Sequence, residues 1–552
     1  MKQEEMTPLK RLFSMLKPDN AEIRNVYIFA AFSGIVGLGL PIGIQAIVNF
    51  IQMGRVSTSW VVLVVLVMMA ILISGLLNIA QMRITENLQQ RIFVRSALDF
   101  TDRIPLIETE SLTKQYAPEL PNRFFDTITI QKSLSKLILD FAAASLQIVF
   151  GLILLSFYHS FFIFFGIALL LLLFLIFRIT TEKGFRSSLR ESNYKYKIAH
   201  WLQQIAYTRF SFKMAGTPSY LMHRTDTYLM EYLKSRNEHF KILRQQYLYL
   251  IGFKSIIAMA LLVIGGLLVI NQTMNIGQFV AAEIIILLIL SSVEKLIVSL
   301  ETVYDLLTAI EKIGQVTDLP IEHKEGIEIP TTEEGFSIQF ENVSYRNELT
   351  NQHVLEQFTL SIDANSIVVV DAENSVSVNV LYCMLGGIYH AQTGNVSLNR
   401  IPIGNLNREF IRNRTGNMLN QDLLVHATLL ENITLGRNYV SFGEVQELCE
   451  QLHLTQEIQA LREGYNTLLN PEGHFLSKAC IRKILLARAL VGFPKLVLLE
   501  EPLQDLSTHE KVQILSVLQN RPNCTVLIQS NDQAIKDIAH QTVSIQMGSR
   551  TA

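Results

Sequence analysis

Long stretches of apolar residues, uncharged except for Glu283, fill the first half of the chain and end before Leu300. Each is close to the roughly 20 residues that a helix needs to cross the hydrocarbon core of a bilayer. They form three closely spaced pairs, which predicts six transmembrane helices arranged as three hairpins. The predicted spans are residues 27–53 and 56–82, 141–157 and 160–177, and 255–272 and 276–293.

Basic residues predict the orientation of these spans, because Lys and Arg concentrate on the cytoplasmic side. They are frequent before the first span and in the two long connections, about 83–136 and 178–247, and rare in the three short outer loops. We therefore expect both termini in the cytoplasm. The basic amphipathic segment LKRLFSMLK ahead of the first span is not expected to be a cleaved signal peptide.

The two long connections mix charged and apolar residues at spacings of three and four, which predicts that spans two to five continue into the cytoplasm as helices. Each connection also carries helix-breaking residues, which predict a short transverse helix at the tip of each cytoplasmic hairpin. These coupling tips are expected at Pro118 and Pro121 in the first connection, and at Gly216 and Pro218 in the second.

The composition agrees with a membrane protein of several domains. The 552 residues are 49% hydrophobic and only 17% charged, with a mean hydropathy of +0.28, which excludes a single soluble globule. The formal net charge of −2 favours solvated helix faces over nucleic-acid binding for the basic stretches. The cysteines have no metal-site spacing, and their placement suits a reducing cytosol. They are Cys383, Cys449, Cys480 and Cys524.

In residues 367–381, IVVVDAENSVSVNVL, an apolar strand precedes a helical pattern, which is the setting of a phosphate-binding loop. Such loops need glycines that turn backbone N–H groups toward the phosphates and a lysine that meets their charge. This segment contains neither residue type, and Asp371 and Glu373 add negative charge. We therefore expect the strand, loop and helix to persist without tight nucleotide binding.

The order of these parts resembles one half of an ABC exporter over about residues 8 to 545. IQAIVNFI and MNIGQFVAAEIII are similar to the type I secretion branch, the exporters of RTX toxins and bacteriocins. The resemblance implies a six-helix α transmembrane domain of ABC exporter type and a C-terminal α/β ABC ATPase-like domain, with the cassette on the cytoplasmic side of the inner membrane. The expected divisions are an amphipathic segment 1–24, a transmembrane domain 25–315, a linker 316–335 and a cassette 336–552.

The resemblance assigns the family's nucleotide-binding motifs to particular residues. In the Walker A loop, residues 372–380, the glycines become Ala372, Ser375 and Ser377, the lysine becomes Val378, and the magnesium-binding hydroxyl becomes Asn379. The remaining motif positions are Asn347 with nearby Tyr345 for the adenine-stacking aromatic, Gln421 for the Q-loop, Leu476, Ser477, Lys478, Ala479 and Cys480 for the signature, Glu500 and Glu501 for Walker B, Ser507 for the D-loop and Ser530 for the switch histidine.

These replacements predict that the chain's own cassette neither binds nor hydrolyses ATP, with Glu501, Gln421 and Ser530 as vestiges of catalysis. No metal or cofactor is expected for this chain, and ATP with magnesium is expected only at a partner's site in a heterodimer. Lys478 either meets the γ-phosphate of that partner's nucleotide or is a solvated surface lysine.

Three functions follow from the sequence. The chain is a transport subunit paired with a nucleotide-competent ABC subunit, a non-transporting homodimeric scaffold or assembly factor, or a divergent but active exporter. The branch resemblance implies a periplasmic adaptor as a further partner, beside membrane lipid. Glu283 is a candidate intramembrane polar site, and Glu294 faces either a substrate path or the interface. Without an N-terminal peptidase-like extension, the chain is not expected to cleave leader peptides.

Overall fold

The computed structural model describes residues 6–52, 58–112, 117–216, 218–330, 334–347, 350–372, 374–420, 422–471 and 475–545. It divides into two compact units. The helical unit contains Met1–Leu106 and Tyr116–Leu319, and the α/β unit contains Ile107–Gln115 and Pro320–Ala552.

Long helices make up the helical unit. They are α1 (Pro8–Leu16), α2 (Asn20–Gly37), α3 (Gly39–Gln52), α4 (Thr58–Arg103), α5 (Asp126–Ser156), α6 (Phe161–Tyr207), α7 (Arg209–Ala215), α8 (Pro218–Ala260), α9 (Gly266–Ile270) and α10 (Ile276–Thr317). Among the described residues, 6 helical stretches are long and apolar enough to cross a membrane. Together they confirm the predicted six-helix architecture of an integral membrane protein.

Two spans are less regular than their hydrophobic patterns predict. The first is interrupted at Leu38, between α2 and α3, because Pro41 cannot donate a backbone hydrogen bond and its ring crowds the carbonyl one turn earlier. The fifth changes to a π-helical turn at Leu261–Gly265. The sixth begins with a capping box in which Asn275 and Gln278 satisfy each other's backbone N–H groups.

The sixth span is the centre of the helical unit. Ile285, Ile289 and Tyr304 of α10 are fully buried. A Cβ atom at Gly184 would lie 2.3 Å from the ring of Tyr304, so this glycine allows α6 and α10 to approach closely. Gln246 of α8 donates a hydrogen bond of 2.6 Å to the Tyr304 hydroxyl, which satisfies a polar group inside this core.

The predicted coupling tips lie in different settings. Pro118 and Pro121 belong to a 3₁₀ run, Ala117–Phe125, whose Leu120 is buried within the helical unit. The part of that connection that groups with the α/β unit is the preceding segment, Ile107–Gln115. In the second connection, Gly216 ends α7 with a φ of 61° and Pro218 begins α8. Gly216 thus supplies the left-handed conformation that a helix end commonly requires.

Two larger sheets form the α/β unit. The first, in the order β2-β1-β4-β5, is antiparallel, and the second, β11-β3-β10-β9-β6, is parallel. Strands β7 and β8 pair separately. The strands are β1 (Ile338–Arg346), β2 (His353–Ile362), β3 (Ile367–Ala372), β4 (Thr393–Leu398), β5 (Ile401–Pro402), β6 (Thr415–Met418), β7 (Ala427–Thr428), β8 (Leu468–Leu469), β9 (Leu496–Glu500), β10 (Thr525–Gln529) and β11 (Gln541–Ile545).

Helices cover the parallel sheet, as its apolar strands require. They are α11 (Ser375–Leu385), α12 (Arg408–Asn413), α13 (Leu429–Thr434), α14 (Phe442–Gln451), α15 (Thr455–Ala460), α16 (Lys478–Leu490), α17 (Thr508–Gln519) and α18 (Gln533–Lys536). The carboxyl ends of β3, β9 and β10 meet at one edge of this sheet, where ligands of such folds bind. That edge gathers the predicted Walker A, Walker B and switch positions.

Candidate functional site

The connection between β3 and α11 is short. Strand β3 ends at Ala372 and α11 already begins at Ser375, with Asn374 as its N-cap. The Asn374 side-chain oxygen accepts a hydrogen bond of 2.8 Å from the N–H of Val376. No described residue from 372 to 379 has a positive φ. A helical turn therefore occupies the positions where a phosphate loop would curve around an anion.

One face of the first turns of α11 is buried, while Ser375 and Val376 are exposed. Val378, at the lysine position, is 0% exposed and belongs to the hydrophobic core. Ser377 is buried as well, and its hydroxyl donates to the carbonyl of Val354 at 3.4 Å. Asn379 accepts a weak hydrogen bond from Cys383, with Sγ and Oδ1 3.6 Å apart. The helix thus uses these positions for packing.

One of the two acidic residues predicted beside the loop, Asp371, has a cationic partner. Lys536, which ends α18, forms an ion pair of 2.7 Å with Asp371 of β3. The ammonium of Lys536 therefore offsets the negative charge that Asp371 adds beside the loop. Glu373 lies outside the described residues.

Glu500, at the Walker B aspartate position, is buried at the end of β9. Its Oε2 accepts a hydrogen bond of 2.7 Å from the N–H of Asn420, and its Oε1 has no hydrogen-bond partner among the described residues. Burial raises the pKa of Glu500, and the nearby Asp422 carboxylate raises it further. Burial, followed by the charge of Glu500, also raises the pKa of Cys383 to about 12. Gln421 lies outside the described residues.

Glu501, at the position of the catalytic glutamate, has a polar environment that the sequence did not predict. The hydroxyl of Ser530 donates to its Oε2 at 3.0 Å, and the Gln529 side chain donates to its Oε1 at 3.3 Å. Arg482 donates to its carbonyl at 2.6 Å. The residue has a φ of 43°, a conformation that is uncommon for glutamate. The pairing of β9 with β10 brings Glu501 and Ser530 together.

The D-loop position serves as a helix cap. Ser507 and Glu510 form a capping box at the start of α17. Glu510 also forms an ion pair of 2.7 Å with Lys483, which is buried in α16. The hydrogen bond from Lys483 is the main cause that lowers the pKa of Glu510 to about 2. These contacts join α16 and α17 inside one cassette.

The signature segment begins α16. Ser477 is its N-cap and accepts a hydrogen bond of 3.0 Å from the N–H of Cys480. Lys478 is exposed, and it forms no ion pair or hydrogen bond within the part of the chain that the structure describes. Ala479 packs against the core beneath this turn. Lys478 is therefore the residue of this segment that exposes a charged group to solvent.

The adenine-stacking position has no free aromatic ring. Tyr345 is buried and stacks on Tyr389, with ring centroids 5.5 Å apart and an interplanar angle of 23°. Asn347, two residues later, uses its backbone N–H to bond the carbonyl of Gln352 at 2.9 Å. Both residues therefore contribute to the local structure of the β1–β2 connection.

The acidic residues of the sixth span have separate environments. Glu294 of α10 pairs with Lys254 of α8, so its charge is matched across two helices and not by the adjacent Lys295. Glu283 is half-buried in α10. Across the described residues, no group of three or more His, Cys, Asp or Glu side chains has the geometry of a metal site.

Curated proteins similar to this chain are transporters. The alpha-hemolysin translocation ATP-binding protein HlyB of Escherichia coli O157:H7 is 26% identical over 288 residues, which cover 52% of this chain and 39% of that protein. The multidrug resistance-like ATP-binding protein MdlB of Buchnera aphidicola is 29% identical over 194 residues, or 35% of this chain and 33% of that protein. The chain thus spans about two fifths or less of these relatives. No family model matches it.

The solved structure of a bacterial Atm1-family ABC exporter with ATP bound has the same fold. It matches with a TM-score of 0.83 at 16% identity, covering 96% of this chain and 94% of that one. The likeness includes both the six apolar helices and the α/β unit. This likeness shows that the chain has the fold of an ABC exporter, and the transporter relatives are similar to it over part of their length.

Proposed function

We propose that this chain is a subunit of an ABC-exporter-like membrane complex and that its own cassette does not bind or hydrolyse ATP. The observation that carries the proposal is the start of α11 at Ser375, with Asn374 capping the helix and Val378 in the core. The residues expected to hold phosphates instead cap a helix and pack in the core.

The energetic consequence is large. A hydrogen bond from a charged donor to a phosphate contributes roughly 1.5–3 kcal/mol. The lysine contact is lost, and the Val376 N–H already donates to Asn374. Losing two such contacts at about 1.4 kcal/mol per factor of ten would weaken a micromolar site by about two to four factors of ten, to roughly 0.1 to 10 mM. The described residues between 372 and 379 have no positive φ, so this segment supplies no anion nest to compensate.

The Walker B position also does not fit a magnesium ion. Magnesium requires octahedral oxygen ligands and usually binds one or two carboxylates together with nucleotide phosphates. The Glu500 carboxylate is buried, and one of its oxygens is bonded to Asn420. Asn379 replaces the hydroxyl ligand. The contact between Ser530 and Glu501 preserves a polar pair, but the nearby Walker A positions Ser377 and Val378 are buried.

Within this proposal, the chain pairs with an ABC subunit that has a complete cassette. ABC sites combine one subunit's Walker A loop with the other's signature segment, so the partner's nucleotide would face Ser477 and Lys478. The exposed ammonium of Lys478 is positioned at the α16 N-terminus, which also favours anions. The type I secretion resemblance points to export of a peptide or protein. We place the cassette and both termini on the cytoplasmic side of the inner membrane, with a periplasmic adaptor as a further partner.

Lys478 provides a direct test of the partner's site. In the purified complex, Lys478→Ala should lower the ATPase rate by about tenfold or more if the ammonium contacts the γ-phosphate. Arg462→Ala removes another exposed basic residue of the cassette and should leave the rate unchanged. Equal rates for wild type and Lys478→Ala would show that Lys478 is a solvated surface residue.

A homodimeric, non-transporting scaffold is the second candidate. It is favoured by the capping role of Ser507 and by the buried Tyr345, because positions on several sides of the nucleotide interface now serve folding. Native mass measurement of the affinity-purified full chain, combined with an ATPase assay, separates the candidates. A complex with an intact ABC subunit and activity supports transport, whereas an inactive homodimer supports the scaffold. A homodimer that hydrolyses ATP would overturn the proposal and identify a divergent active exporter.

A further inference from the structure

An apolar groove of about 460 Å³ lies in the helical unit, between α1 and the middle of α6. Its walls include Pro8 and Leu9 of α1, Phe174, Phe177 and Phe185 of α6, and Leu307 of α10. Nothing in the nucleotide site or the proposed transport cycle uses this groove. Its position at the end of the fourth predicted span gives it direct access to the bilayer.

The groove continues a lipid-facing stripe. Phe164, Ile167, Leu171 and Phe174 follow each other at spacings of three and four along α6, and each is more than 60% exposed. Residues at these spacings lie on one face of a helix. In a membrane-spanning helix, such an exposed apolar face contacts acyl chains. The stripe therefore leads acyl chains to the mouth of the groove at Phe174.

The helix α1 forms a fixed wall of the groove. Arg11 forms an ion pair of 3.1 Å with Glu311, another with Asp318, and a hydrogen bond of 3.3 Å to the carbonyl of Ile310. A Cβ atom at Gly314 would overlap the Arg11 guanidinium. Leu9, at the groove, is 56% exposed, and Phe13, one turn later on α1, is 70% exposed, as in an interfacial amphipathic helix.

The mouth of the groove carries positive charge. Arg178 lines the groove and is exposed, and no ion pair or hydrogen bond joins it to another described residue. Glu182 also lines the groove, but Arg186 neutralises it at 2.6 Å. Lys10, next to Leu9, is exposed as well. The charges around the groove therefore sum to a positive charge. The guanidinium of Arg178 lies at the end of the fourth predicted span, where the helix leaves the hydrocarbon region.

We propose that this groove binds an anionic phospholipid, with one acyl chain along the phenylalanines and the headgroup phosphate at Arg178. An acyl chain in a bilayer is already removed from water, so the apolar walls add little selectivity. The selectivity must come from net charge: the guanidinium binds the phosphate through paired N–H donors, and a zwitterionic headgroup already carries a cation that compensates its phosphate. The site would hold the N-terminal helix against α6 through the lipid.

The binding test uses the full chain in detergent and native mass spectrometry during titration with phosphatidylglycerol or phosphatidylcholine. Wild type should retain phosphatidylglycerol more tightly than phosphatidylcholine. Arg178→Gln should weaken phosphatidylglycerol about tenfold and phosphatidylcholine much less, because the choline ammonium already compensates the phosphate of phosphatidylcholine. Arg83→Gln is the matched control, because Arg83 is exposed at the cytoplasmic end of the second predicted span. Equal affinity for the two lipids, or an equal loss in both variants, would overturn the proposal.

The location is tested with a phosphatidylglycerol that carries a diazirine on its acyl chain. Crosslinks should map to peptides containing Phe174–Phe185 or the α1 helix, and Thr181→Trp, which fills the groove, should remove them. Labelling that is confined to other exposed spans, or that Thr181→Trp does not change, would contradict the site. A crosslink between two copies of this chain across the groove, in place of lipid, would identify a dimer contact and also overturn it.

Discussion

Replacing Val378 with lysine tests directly whether this position belongs to a phosphate-binding loop or to the hydrophobic core. In a phosphate loop, Val378→Lys would restore the missing cation and strengthen ATP binding. In the structure, Val378 is 0% exposed, whereas Val376 on the same helix is 42% exposed. Val376→Lys is therefore a matched control, because it makes the same substitution on the same helix at an exposed position.

The magnitude follows from the charge. A lysine in the unfolded chain has a pKa of about 10.4, and each pH unit corresponds to about 1.36 kcal/mol, so keeping the amine neutral in the core at pH 7 costs about 4.6 kcal/mol. The unfolded state then binds more protons than the folded state, so stability rises with pH. The penalty should decrease by about 1.4 kcal/mol per pH unit up to about pH 10. The exposed control should show almost no penalty.

The assay is urea unfolding of the cassette in the full chain, followed by pulse proteolysis at about pH 7 and pH 9. Val378→Lys should unfold at much lower urea than Val376→Lys, with a smaller difference at the higher pH. Equal stability of the two variants at both pH values, together with new ATP binding by Val378→Lys, would refute the reasoning. That result would mean that the segment forms a loop able to direct the ammonium toward phosphate.

Further predictions concern the remaining motif positions. Ser507→Ala should destabilise the cassette by about 1 kcal/mol because α17 loses its cap, while Ser507→Thr should preserve urea stability; equal values would contradict the capping role. Glu500→Gln should stabilise the cassette increasingly as pH rises above 4.5, since burial raises the pKa of this carboxyl and its ionisation disfavours folding. Glu500→Ala, which loses the acceptor for Asn420, should be destabilising, and a destabilised Glu500→Gln would contradict the interpretation. Glu510→Gln should lose less stability than wild type as the pH falls from 4.5 toward about 2, because Lys483 lowers the pKa of Glu510 in the folded state. An unchanged acid dependence would exclude that contribution.

Hydrophobic periodicity was sufficient to predict the six apolar helices, because membrane crossing requires a run of a definite length. It could not predict the π-helical turn at Leu261–Gly265, which depends on packing between neighbouring helices. The interruption at Leu38 had a local signal in Pro41, yet an apolar run gives no information on helix continuity.

The candidate site shows the same limit. The missing glycines and lysine were evident in the sequence, but the early start of α11 depends on Asn374 as a cap, a role that Asn also plays in turns. The contact between Glu501 and Ser530 joins residues 29 positions apart. Only the pairing of β9 and β10 brings them together. Contacts of this kind follow from sheet order, which a single sequence does not specify.

The most direct test of the central claim is equilibrium binding of a fluorescent ATP analogue to the purified full chain with magnesium present. We predict no saturable binding below about 0.1 mM, because the lost phosphate contacts weaken a micromolar site by at least two factors of ten. Saturable binding at low micromolar concentration that unlabelled ATP displaces would contradict the account. It would show that the segment after β3 holds phosphates despite the helix that begins at Ser375.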